Sequence, residues 1–70
     1  MMKDVEIIKM CRQFVAGLVW QYGARAFPQN CLAKLESITR KKLAEFTEDE
    51  KEKFNWPLFF NIGMLEIEME

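Results

Sequence analysis

The stretch DVEIIKMCRQFVAGLVWQY, residues 4–22, decides the fold class. At about 100° per residue, Ile7, Ile8, Met10, Cys11, Phe14, Val15, Leu18, Val19 and Tyr22 fall in an arc about half the circumference wide, with Glu6, Lys9, Arg12 and Gln13 outside it. This spacing predicts an amphipathic helix. Asp4 is a candidate cap, and Gly23 is a natural stop because glycine takes up positive φ without steric cost. So broad an arc exceeds what one neighbouring helix covers. Trp20 projects from the polar side, near Lys9, Gln13 and Ala16, and has two readings: the connection at 24–29 folds over its ring, or the ring contacts a partner. Gly17 costs about 1 kcal/mol relative to alanine in mid-helix. With Ala16 it either admits the close approach of another helix or is a tolerated surface glycine.

Pro28 stiffens the connection that follows, and Asn30 is placed to cap a second helix over 31–46. Its apolar stripe is Cys31, Leu32, Leu35, Ile38, Leu43 and Phe46, with Thr39 and Lys42 inside it. Lys42 is expected to run its methylenes over the core and keep its ammonium in water, the alternative being a buried salt bridge to a C-terminal glutamate. Thr47 and Glu50 have the spacing of a capping box, and Glu48, Asp49 and Glu50 suit the positive end of a helix dipole. A short third helix starts there, and Pro57 is expected to end it, because the residue before a proline avoids the α region. Phe54 and Trp56 are expected to plug the end of a hairpin made by the first two helices.

Residues 57–70 admit two readings. As a helix they carry one stripe of Leu58, Ile62, Leu65 and Met69 and a second of Phe60, Met64 and Ile67 on the opposite side, so that both faces need cover. As a strand, Leu65, Ile67 and Met69 alternate with Glu66, Glu68 and Glu70, and pairing would have to come from another chain. The helix is favoured. The expected fold is therefore all-α: a bundle of three or four helices built on an antiparallel hairpin, in one domain spanning 1–70.

Composition narrows the function. Half of the 70 residues are apolar and 30% are charged, too greasy for a disordered tail and too charged for a membrane protein. A core of this size rarely supplies more than about 3–5 kcal/mol, and small domains add a disulfide, a metal or a second subunit. Cys11 and Cys31 are the two cysteines and histidine is absent, so a zinc site would need carboxylates for half of its ligands. In a hairpin Cys31 falls opposite residues near Gln21, leaving Cys11 roughly 15 Å away along the axis, too far for a disulfide. Association is what remains, and a homodimer is the favoured state.

No signal peptide is expected, since Lys3, Asp4, Glu6 and Lys9 interrupt the N-terminal region, and the charge-free runs 13–24 and 55–65 fall short of a bilayer span. A cytoplasmic location follows as the expectation. Residues 1–46 hold eight Lys or Arg against four Asp or Glu, and residues 47–70 hold two against seven. Either the two parts dock on each other, within the chain or across a dimer, or the basic part meets nucleic acid.

Catalysis is not expected. Without histidine the usual proton-transfer and nucleophile arrangements are closed, both cysteines sit on apolar stripes where a thiol is inert, and the three glycines are too scattered for a phosphate loop. No cofactor is expected either. The function read from the sequence is a small protein–protein interaction module: an adaptor, an accessory subunit or a stoichiometric inhibitor. Trp20, Phe54, Trp56, Phe59, Phe60 and Met64 are its candidate partner-binding residues. The alternative is a nucleic-acid-binding regulator using Arg25, Lys34, Arg40, Lys41 and Lys42, although the acidic third helix would be repelled from a groove.

Overall fold

Four α-helices make up the chain in the computed structural model, which describes residues 3–69. They are α1 (Asp4–Tyr22), α2 (Cys31–Glu45), α3 (Glu48–Lys53) and α4 (Trp56–Glu68), with one 3-10 turn at Ala24–Ala26 between the first two. There is no strand among the described residues, and the C-terminal segment is helical through Glu68. Glu70, which the strand reading included, lies outside the described residues.

The helix ends follow from local chemistry, with three departures from expectation. Gly23 does stop α1, at a φ of 87°, its N–H donating to the Val19 carbonyl at 2.8 Å. Asp4 is not the cap. It is the first helical residue, and its carboxylate accepts instead from Lys51 Nζ at 2.8 Å. Asn30 sits in the left-handed region (φ 64°), a conformation asparagine tolerates, and its side chain makes no capping bond to α2. The capping box at Thr47 is fully formed: its hydroxyl accepts from the Glu50 amide at 3.2 Å and the Glu50 carboxylate accepts from the Thr47 amide at 2.9 Å. Pro57 does not end α3, which stops at Lys53. It lies in the first turn of α4, where its missing N–H would have had no helical partner anyway, and Asn55 caps that helix by accepting from the Leu58 amide at 3.2 Å.

The core lies where α1, α2 and α4 pack side by side. α1 contributes Ile7, Ile8, Cys11 and Val15; α2 contributes Cys31, Leu35 and Leu43; α4 contributes Trp56, Phe60, Met64 and Ile67. Thr39 is buried with them, and its hydroxyl donates back to the Leu35 carbonyl at 2.8 Å, so the polar atom brings its own partner. Gly63 is what lets α4 come so close to α2: a Cβ there would stand 2.6 Å from Leu35 Cδ1. Gly17, the glycine whose mid-helix position suggested such an approach, faces open space.

The short α3 joins the ends of the longer helices. Lys51 is buried, its ammonium held by Asp4 of α1 at 2.8 Å and by Glu48 at 3.4 Å, while its carbonyl accepts from the Trp56 indole N–H at 2.8 Å. The hydrogen bond to Asp4 is the main reason that the Lys51 ammonium titrates above its ordinary value. Around this joint Phe46, Phe54, Trp56 and Phe59 pack edge to face, with ring centroids 4.7 to 5.7 Å apart for the pairs of Phe54 with Trp56 and with Phe59. Phe46 reaches Phe54 at 4.9 Å.

Candidate functional site

Helix α4 has two apolar faces, and the bundle covers one. Trp56, Phe60, Met64 and Ile67 point inward and are at most 2% exposed. On the opposite side Leu58, Ile62, Leu65 and Met69 recur at helical spacing and are 53%, 47%, 53% and 85% exposed. A helix with apolar residues on two faces needs cover on both, and one face of this helix meets solvent. The outer column is flanked by Asn61 and Glu68 towards α1, and by Phe59 and Glu66 towards α2. Beside it, between the end of α1 and α4, a shallow groove of about 310 Å³ is lined by Leu18, Tyr22, Phe27, Asn61, Leu65 and Glu68, among others.

Lys42 lies at the α2 flank. Its ammonium stands 5.7 Å from the Phe46 ring centroid and 5.9 Å from that of Phe59, over ring faces that attract a cation. Among the described residues its carboxylate neighbour is Glu45 of its own helix at 3.9 Å, and not Glu66 or Glu68. The side chain therefore covers apolar surface with its stem and presents charge beside the outer face of α4.

The six partner-binding candidates separate into three groups. Trp20 is 91% exposed, and the connection after α1 does not fold over it. Phe54 and Phe59 are half-buried in the aromatic joint. Trp56, Phe60 and Met64 are sealed in the core and offer nothing to a partner in this conformation. The correction has a physical cause: these three fill the space between helices, and the stripe turned outward is the other one. The pattern gave both stripes equal standing. One signal pointed to the inner one, because Gly63 lies on its side and a missing side chain marks the closest helix contact.

The basic residues named for nucleic acid do not share one face. Arg25 lies in the 3-10 turn, Lys34 and Lys41 lie on one side of α2, and Arg40 lies about a quarter-turn away from them. Arg40 stands 3.6 Å from Glu36, which also takes a 2.8 Å ion pair from Arg12. Lys42 is engaged with the phenylalanine rings.

Cys11 and Cys31 are free and buried, and desolvation pushes the Cys11 thiol up, against a smaller opposing effect from Thr39, whose hydroxyl oxygen is 3.9 Å from the sulfur. Among the described residues no group of three or more Cys, Asp or Glu could hold a metal ion, and no helix is long and apolar enough to cross a membrane. No protein family, curated protein or solved structure matches the chain.

Proposed function

We propose that this chain is a small protein–protein interaction module, an adaptor, accessory subunit or inhibitor, that acts as a homodimer. One observation carries the reading: the outward column of α4, Leu58, Ile62, Leu65 and Met69, is apolar, continuous and uncovered. Single exposed apolar residues are ordinary, whereas a contiguous patch rimmed by polar groups marks an interaction surface. Trp20, on the outer side of α1 and away from α4, is the residue left to engage a second protein, since a large amphipathic ring is a favoured anchor at interfaces.

The same reading takes α1 and α2 as an antiparallel hairpin, which the pairs Arg12 with Glu36 and Cys11 with Thr39 support. It places the protein in the cytoplasm, a reducing setting that suits two buried unbridged thiols. A nucleic-acid role through α2 finds less support, because its basic residues are dispersed and partly neutralised.

Light scattering on the full chain at micromolar concentration, together with a hydrophobic dye, tests the proposal. The expected mass is twice 8.3 kDa, falling to 8.3 kDa for the Ile62→Ser variant. A wild-type mass of 8.3 kDa with no dye bound would overturn it.

A further inference from the structure

A surface that pairs with its own copy about a twofold axis must be complementary to itself. The outer face of α4 meets that condition in one orientation. Its column runs Leu58, Ile62, Leu65, Met69, with spacings of four, three and four residues, so it reads the same in both directions. Reversed against a copy of itself, Leu58 falls opposite Met69 and Ile62 opposite Leu65.

The charges at its edge follow the same symmetry. On the flank towards α2, Phe59 carries the Lys42 ammonium 5.9 Å from its ring centroid, and Glu66 lies seven residues further along the same side. The midpoint of Phe59 and Glu66 falls within about one residue, or roughly 1.5 Å, of the midpoint of the apolar column. A twofold axis there brings Glu66 of each copy beside Lys42 of the other. On the opposite flank it brings Asn61 of one copy beside Glu68 of the other, an amide facing a carboxylate. Parallel pairing instead turns the Glu66 flank of each copy towards the Glu68 flank of the other, glutamate beside glutamate, and takes Lys42 of each copy away from Glu66 of the other. Neither glutamate has an ion-pair partner among the described residues.

We infer that a second copy of this chain covers the outer face of α4, antiparallel, about a twofold axis between Ile62 and Leu65, with the Lys42 to Glu66 pair formed twice. This rests on the interaction reading above and adds the identity and direction of the occupant. The apolar column supplies the affinity and the paired charges fix the direction.

Sedimentation equilibrium of the full chain across the micromolar range, with circular dichroism as the check on folding, tests it. Leu65→Glu is expected to leave a folded monomer, and Leu65→Ser serves should the glutamate disturb the helix. Lys42→Glu and Glu66→Lys are each expected to weaken the dimer roughly tenfold, and the double reversal to restore it to within about threefold of wild type. A dimer indifferent to both reversals, or one the double reversal does not rescue, overturns the antiparallel arrangement and leaves the interaction reading standing. A wild-type monomer overturns self-pairing. In that case, dye bound by the wild type and not by Leu65→Glu keeps the face as a site for a different protein, and equal dye binding discards both.

Discussion

The inner and outer faces of α4 are made of similar residues and have opposite fates. Trp56, Phe60, Met64 and Ile67 are sealed, while Leu58, Ile62, Leu65 and Met69 meet solvent, although neither set is the more hydrophobic by type. Volume and shape separate them. The inner face holds the tryptophan, one of the two phenylalanines of the helix and the glycine that admits Leu35, so it presents alternating bulk and hollow to α1 and α2. The outer face is a ridge of similar aliphatic chains, suited to lie against another such ridge. Apolar type alone thus does not decide which face of a helix is buried, whereas the relief of the inner face matches what α1 and α2 present to it.

The sharpest way to break that contrast is truncation on either side. Phe60→Ala is expected to cost about 3–5 kcal/mol, as much as the whole core of a chain this size supplies, and to leave it largely unfolded by circular dichroism. Leu65→Ala, measured by urea denaturation at a concentration low enough to keep the chain monomeric, is expected to change stability by less than about 0.5 kcal/mol. Equal losses at the two sites would show that the faces are not distinct.

The glycines give the next largest effect. Gly63→Ala gains helix propensity but drives a methyl against Leu35, itself fully buried, and is expected to lose about 1–3 kcal/mol in denaturant midpoint and slope. Gly17→Ala meets open space and is expected to gain up to about 1 kcal/mol. A gain at both positions would mean that α4 stands further from α2 than the 2.6 Å between a Cβ at position 63 and Leu35 Cδ1 requires.

A smaller effect follows from Lys51, whose carbonyl receives the Trp56 indole and so sets where the inner face begins. Its ammonium is held above its ordinary pKa chiefly by the hydrogen bond to Asp4, so this contribution is full below the unfolded pKa and is lost as pH rises through the folded one. Urea midpoints should therefore fall on moving from neutral pH into the region above about 10.4. Asp4→Asn should lower the neutral midpoint and flatten that decline. The smallest effect on stability is expected at Trp20: Trp20→Ala should shift the midpoint by less than about 0.5 kcal/mol, and any loss it causes would be in the capture of a second protein.

Much of this architecture was legible in the sequence because it is written locally. The arc of α1, its stop at Gly23 and the box at Thr47 and Glu50 each depend on residues within one or two turns. The readings that failed depend on distant partners. Asp4 had the type of a cap but answers to Lys51, 47 residues away. Pro57 had the type of a stop, yet Asn55 supplies a cap just before it and turns it into a start. The candidate surface was half legible for the same reason: periodicity drew both stripes of α4, and only the approach of α2 chose between them. Trp20 could not be settled locally either, because its two readings differed only in the path of the connection that follows α1.

The two tryptophans make this protein its own instrument. Trp56 is 1% exposed with its indole N–H bonded to a carbonyl, and Trp20 is 91% exposed. Excited together, the first should emit at short wavelength and ignore iodide, whereas the second should emit near the wavelength of free tryptophan and be quenched readily. One fluorescence spectrum, taken with and without quencher, would then report the integrity of the interior and the occupancy of the surface as two separate channels, without a label attached.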